Sequence, residues 1–315
     1  MAGHVKRVDQ CIQDLASNCD IATAGDLFSI ELSALLDEMQ EDYEAWDKHT
    51  PDRFIFDMLV RRAETAVVDH WETILMIIAS NIDHDKDFEL RMDMLSLTEH
   101  FLMQTSLHST IVFYGEIILK MILLPSLAWR VGKPNVSIRK GAIVCLIKMI
   151  EQALVDPAKL YGCNKQLVTV LKCCLDDDFA SDIRFAAVVV CKHLLTYLTE
   201  LYEKDDYDLI YPELLKRLDD AQDAIRIETC KVFEIFFDHL PNPWSSSLYE
   251  YTIKTIFVHL DDPSETIQHA VITVLEKAAR VQTQEFIVQS ADFARKSARP
   301  ALCKSLTDYA QNLRS

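Results

Sequence analysis

Apolar residues recur at helical spacing along most of the chain, and short polar breaks cut the pattern into hairpin-sized pieces. Five segments align as DFELRMDMLSL, NVSIRKGAIVCL, ASDIRFAAVVVC, QDAIRIETCKVF and SETIQHAVITVL. An aliphatic residue precedes the aligned position in each: Leu90, Ile138, Ile183, Ile225 and Ile267. Each segment then continues as an amphipathic helix. In the fourth, Ile225, Val232, Phe233, Phe236 and Phe237 share one side of the helical wheel, and Ile227, Lys231, Glu234 and Asp238 the other. Ahead of the breaks run further apolar helices, as in LVTVLKCCL (167–175), ELLKRL (213–218) and IKTIFVHL (253–260). The predicted unit is therefore helix A, a short acidic turn, and helix B. Asp, Ser and Asn in the turn cap helix B, and their negative charge suits the positive end of its dipole.

The aligned residues are Arg91, Arg139, Arg184, Arg226 and Gln268. The last three are 42 residues apart, and the steps back to the first two are 45 and 48. A period in this range marks a stack of helix hairpins. Six residues ahead of these positions stand Asp85, Lys133, Asp178, Asp220 and Asp262. Pro125 and Pro212 each precede the Lys or Asp position by eight residues, where a proline inside helix A removes a backbone hydrogen bond.

Two-helix units of this length, with a proline in helix A and Asp-x5-Arg across the turn, resemble HEAT repeats. The resemblance implies an all-α fold, a right-handed α-solenoid of about six to seven hairpins. It also implies a ladder through the turns made of Asp85, Arg91, Arg139, Asp178, Arg184, Asp220, Arg226 and Asp262, with Lys133 and Gln268 departing from it. Such a ladder cross-braces the repeats. Repeat units are read as beginning near residues 66, 108, 164, 207 and 246. Along the N-terminal half, helical runs are also read as 4–18 with 27–46, 52–64 with 66–80, and 86–104 with 108–128. The expected organisation is 1–65 as diverged N-terminal helical units, 66–283 as the repeat array, and 284–315 as capping helices broken at Pro300.

Composition narrows the chemistry. Only six glycines occur among 315 residues, and neither GxGxxG nor GxxxxGK[ST] is present, so no phosphate-cradling loop is expected. A net charge of −17 opposes nucleic-acid binding and suits basic or mixed protein partners. The nine cysteines lie mostly in apolar helical runs and contain no CxxC, which reads as buried free thiols in a reducing compartment. No HExxH or GxSxG occurs, and Cys191 and His193 point to different faces of one helix, so no catalytic residue is assigned. The run Asp83 to Glu89 starts like a calcium loop. It has Phe88 at the sixth place and Met94 at the twelfth, where glycine and glutamate are required, so it reads as a solvated acidic turn. No metal, no cofactor and no membrane contact is expected. The most apolar stretch, Ile117 to Leu127, is short for a span and is broken by Lys120 and Pro125.

The stretches ELLKRLDDAQDAIRIETCKVFEIF and IKTIFVHLDDPSETIQHAVITVLEKAA further resemble the C-terminal HEAT units of the dynein axonemal assembly factor five family. That resemblance implies a non-catalytic, cytoplasmic protein-binding scaffold for preassembly of ciliary dynein arms. Axonemal dynein chains and chaperones are the implied partners. Two alternatives stay open: another HEAT scaffold, such as a phosphatase regulatory subunit or nuclear transport receptor, and, more remotely, a HEAT-like DNA glycosylase. In HEAT arrays the B helices line the concave side. The candidate partner-binding face is therefore Lys192, Thr196, Lys231, Glu234, Asp238, Thr273, Glu276 and Arg280. Arg295, Lys296 and Arg299 form a small basic cluster read as stabilising helix C-termini.

Overall fold

The computed structural model describes residues 2–314, with side chains from Gln10 onward. Among these residues every regular element is helical. The chain forms two compact units that divide between Asp156 and Pro157. The first contains α1 (Ala2–Asn18), α2 (Ala24–Met39), α3 (Asp52–Arg62), α4 (Trp71–Asn81), α5 (Phe88–Met103), α6 (His108–Ile117), α7 (Leu124–Leu127) and α8 (Lys133–Glu151). The second contains α9 (Pro157–Gly162), α10 (Asn164–Leu175), α11 (Ser181–Tyr197), α12 (Lys204–Arg217) and α13 (Asp223–His239). It continues with α14 (Ser246–Val258), α15 (Glu265–Val281), α16 (Thr283–Ala294) and α17 (Pro300–Asn312).

Each unit is a stack of hairpins. In the first, α2 packs on α3, α4 on α5, and the α6–α7 rod on α8. In the second the pairs are α10/α11, α12/α13, α14/α15 and α16/α17. The second members lie side by side, α3–α5–α8 in one unit and α11–α13–α15–α17 in the other. Starts at 164, 204 and 246 follow the repeat register read from the arginine spacing. The N-terminal pairing of 52–64 with 66–80, and of 86–104 with 108–128, is corrected: each helix folds back on its other neighbour. Apolar periodicity locates a helix but does not say which neighbour it meets.

Helix α13 shows why the elements form where they do. Ile225, Val232, Phe233, Phe236 and Phe237 are buried, while Lys231 and Asp238 are exposed. Burying each such apolar side chain contributes about 1.5–3 kcal/mol. Asp223 sits in the first turn and His239 in the last, matching the dipole. Pro241 follows two residues later, where the helix can no longer continue. Two tyrosines latch their hairpins shut. The Tyr207 hydroxyl donates to the His239 carbonyl at 3.1 Å, and Tyr249 to the Ala278 carbonyl at 2.7 Å.

The two helix-A prolines are handled differently. Pro212 lies inside α12. Pro125 follows a π-helical turn, Ile118–Leu123, that joins α6 to α7. The resulting rod, Thr105–Leu127, is long and apolar enough to cross a membrane by length and composition, and half of its most apolar 18-residue window is buried. It extends further back than the short apolar stretch read from the sequence, because Tyr114 and Glu116 sit within the same helix. Its Ile118, Leu119, Ile122, Leu123 and Leu127 are core residues. Gly115 lets the rod approach the chain at 154–155: a Cβ there would stand 2.4 Å from the Leu154 carbonyl oxygen.

Candidate protein-binding surfaces

The ladder in the second unit has one repeated geometry. Arg184 donates through Nε and Nη2 to the two oxygens of Asp220, at 2.7 and 3.0 Å, and through Nη1 to the Asp177 carbonyl at 2.7 Å. Arg226 donates through Nη2 to Asp262, and through Nε to the Leu218 carbonyl at 2.8 Å. Each arginine thus closes its own turn and hooks the turn of the next hairpin, 36 residues on. The carboxylates do double duty. Asp220 accepts the Gln222 N–H at 3.0 Å, and Asp262 accepts the Ser264 N–H at 2.8 Å. Gln268 keeps only the half within its turn, donating to the Asp262 carbonyl at 2.5 Å. In the first unit Arg139 donates to the Arg130 carbonyl at 3.0 Å. Arg91 donates to the Ile82 carbonyl at 3.0 Å and to Asn135 Oδ1 at 3.3 Å.

Two expected rungs, Asp178 and Asp85, need correction, and Lys133 departs from the ladder as its residue type implied. Asp178 is exposed, and the buried carboxylate of its turn is Asp177, which accepts the N–H groups of Phe179 and Ala180 at 3.1 and 2.9 Å. This turn holds one more residue between carboxylate and arginine than the next one does, which shifts the inward-facing aspartate. Asp85 is exposed and faces His84 Nε2 at 3.1 Å instead of a ladder arginine. Lys133 is exposed, and Asn135 takes the acceptor role for Arg91.

Burial and pairing pull the ladder carboxylates in opposite directions. Burial alone would raise Asp220. The Arg184 hydrogen bond, the Gln222 N–H and the charges of Arg184 and Arg217 outweigh it and hold this carboxyl below its usual value. Asp262 is lowered in the same way, its burial offset by the Ser264 N–H and by Arg226.

The eight residues of the candidate face lie on the α11, α13 and α15 layer, and none is buried. Three of the eight, Lys192, Asp238 and Arg280, reach neighbouring helices. Glu228, 6% exposed, accepts Lys192 from α11, and Lys231 of its own helix at 2.8 Å. Asp238 pairs with Lys277 of α15 at 2.6 Å, and Arg280 donates to the Tyr309 hydroxyl of α17 at 2.9 Å. Thr196 and Thr273 donate to carbonyls of their own helices, Lys192 and His269, at 3.0 and 3.1 Å. The Glu234 and Glu276 carboxylates accept no hydrogen bond among the described residues. Burial raises the Glu234 carboxyl, partly countered by Lys277 and reinforced by Asp238. The layer is therefore a surface of alternating charge with fixed lateral pairs, suited to recognition by shape and charge. Sequence reasoning missed Glu228 and Lys277. Only the Lys231 three residues after Glu228 signalled the first, as a helical pair.

The remaining groups fit the same picture. Asp83, His84 and Asp85 are all exposed, with ligand atoms within 4.8 Å of one another, and His84 Nδ1 lies 2.9 Å from Asp83. Arg295 and Lys296 both pair with Asp292, at 2.6 and 3.3 Å. Burial pushes the thiols of Cys145, Cys191 and Cys230 up to about 12, so they stay protonated and poorly nucleophilic at neutral pH. The first unit adds two features that the wheel analysis passed over. An apolar groove runs between α4 and the α6–α7 rod, lined by Leu75, Met76, Ala79, Ile117 and Met121 and closed by Tyr114, whose hydroxyl donates to Glu72 at 3.0 Å. The turn between α7 and α8 exposes Trp129, Arg130, Val131 and Lys133.

No family model matches the chain. The chain is similar to dynein axonemal assembly factor 5 of Mus musculus, 23% identical over 319 residues, covering 99% of this chain and 37% of that protein. The Homo sapiens protein of the same name is 22% identical over 316 residues, covering 97% of this chain and 36% of that one. The chain thus spans a little over a third of the length of the curated relatives it matches. Among solved structures, the designed armadillo repeat protein YIII(Dq)4CqI matches with a TM-score of 0.51 and 14% identity, covering 75% of this chain and 97% of that one. A second designed armadillo repeat protein, solved in complex with the peptide (KR)4, matches with a TM-score of 0.51 and 12% identity, over 76% and 98%. The structural likenesses place the fold among armadillo-type helical repeats.

Proposed function

We propose that this chain is a non-catalytic, protein-binding scaffold that serves the cytoplasmic preassembly of axonemal dynein arms. One observation carries the proposal: the assembly-factor relatives match this chain along nearly its whole length, at 99% coverage in the mouse protein. The repeat architecture supports it, because a stack of hairpins presents extended faces and binds through many modest contacts. The lateral charge pairs of the α11–α13–α15 layer are the surface we assign to the partner. Dynein chains and their chaperones are the partners this reading requires.

The test is an affinity pull-down from ciliated-cell cytosol, read by mass spectrometry. Enrichment of axonemal dynein heavy or intermediate chains is the expected result. Recovery of a phosphatase catalytic subunit or a transport GTPase in their place would overturn the dynein role and leave only the scaffold. DNA binding opposed by salt would point to the glycosylase alternative, which the net charge of −17 disfavours.

A further inference from the structure

The first unit contains a rung with its carboxylate missing. In the second unit each ladder arginine meets an aspartate of the next hairpin, Arg184 with Asp220 and Arg226 with Asp262. At the equivalent place Arg91, 6% exposed, meets the neutral amide of Asn135. The turn beside it is cationic. Arg130 and Lys133 are exposed and make no ion pair among the described residues. Arg130 lies close enough for its charge to act on Arg91, and the carboxylate that opposes it there, Asp83, is exposed and paired with His84. From Thr105 to Glu151, six lysines and arginines face two glutamates, in a chain that is −17 overall.

The same turn offers an apolar foothold. Trp129 is 56% exposed and Val131 79%. Gly132, at φ +108°, bends the backbone in a region that suits glycine, and Asn135 Nδ2 donates to the Val131 carbonyl at 2.8 Å. Two cations and two large apolar side chains are thus displayed on one hydrogen-bonded turn.

We infer that the α7–α8 turn is a docking site for an acidic protein segment carrying large apolar side chains. Carboxylates of that segment supply at Arg130 and Lys133 the charge that Asp220 and Asp262 supply within the second unit. Its apolar side chains cover Trp129 and Val131. Charge complementarity selects this occupant. A long polyanion, whether nucleic acid or an anionic membrane, would meet two cations on a strongly acidic protein and be repelled by the rest. The inference rests on the protein-binding part of the proposed function and not on the identity of the partner.

Trp129 also supplies the assay. The chain has four tryptophans, and Trp46, Trp71 and Trp244 are each 2% exposed or less. Iodide quenching of the native, full chain therefore reports on Trp129. The probe is a short peptide of aspartate and leucine, with its asparagine–leucine counterpart, phosphatidylserine vesicles and a single-stranded oligonucleotide as comparisons. Only the acidic peptide should protect Trp129 from iodide. Arg130→Glu with Lys133→Glu should weaken its binding by about tenfold or more, with unchanged circular dichroism. Equal binding of the asparagine peptide, or unchanged affinity in the double variant, would overturn the inference. So would tighter binding of vesicles or oligonucleotide, or a dimer of this chain that the double variant abolishes. A pull-down that keeps its dynein chains while the peptide fails sinks this site alone; the reverse pattern sinks the dynein role alone.

Discussion

Removing the Asp220 carboxylate tests the ladder directly. The side chain is 1% exposed. It accepts from Arg184 Nε at 2.7 Å and Nη2 at 3.0 Å, from Arg217 Nη1 at 3.1 Å, and from the Gln222 N–H at 3.0 Å. Asp220→Ala strips the anion from two guanidiniums that are only 12% and 14% exposed. Removing one partner of a buried pair costs about 3–5 kcal/mol. Here the arginine edges reach solvent, and Arg184 keeps its bond to the Asp177 carbonyl, so the expected loss is at the lower end, about 3 kcal/mol. Urea unfolding followed by far-ultraviolet circular dichroism measures it. A cycle with Arg184→Met should return a coupling of about 1–3 kcal/mol. Asp178→Ala, one residue away from a buried carboxylate but exposed, should change stability by less than about 0.5 kcal/mol. The pH dependence has a definite sign. Because the folded pKa of Asp220 is depressed, its contribution is fully present above the ordinary value of 3.8 and is lost as pH falls below it towards the folded value. The variant should therefore lose less stability than the parent over that acid window. A loss under about 0.5 kcal/mol for Asp220→Ala, or a coupling indistinguishable from zero, would refute the ladder as a brace.

Three further outcomes are expected. Phe233 is fully buried, with ring centroids 5.8 Å from Phe236 and 6.1 Å from Phe237, so Phe233→Ala should lower unfolding free energy by about 3–5 kcal/mol; a loss under 1 kcal/mol, on the order of an exposed-site change, would contradict its core position. Gly115→Ala drives a methyl against the Leu154 carbonyl and should lower stability by about 1–3 kcal/mol in the same assay. In a thiol titration with an aromatic disulfide, the exposed Cys11, Cys19 and Cys173 should react in the native protein and the other six only after denaturation; fast native modification of Cys191 would mean the second unit opens readily.

What the sequence revealed follows from what each residue does. The arginine period was visible because Arg91, Arg184 and Arg226 each serve two contacts at once, one in their own turn and one in the next hairpin. Which aspartate answers it was less visible. Six residues separate Asp220 from Arg226, but the turn ahead of Arg184 holds an extra residue, and the inward place falls to Asp177. Counting along the chain cannot register such a bulge, since direction is set by the backbone N–H groups of Phe179 and Ala180. The exposed side of α13 was legible on a helical wheel, whereas its pairings were not. Lys192 finds Glu228 at 36 residues and Lys277 finds Asp238 at 39, distances at which a wheel carries no information. The cationic turn was hidden for a different reason. A net charge averaged over the chain hides a local surplus, and WRVG, just ahead of Lys133, belongs to neither helix pattern. Its meaning emerges only against the other rungs. An arginine that meets aspartate in two hairpins and asparagine in a third marks the place where this protein has left a charge for something else to fill.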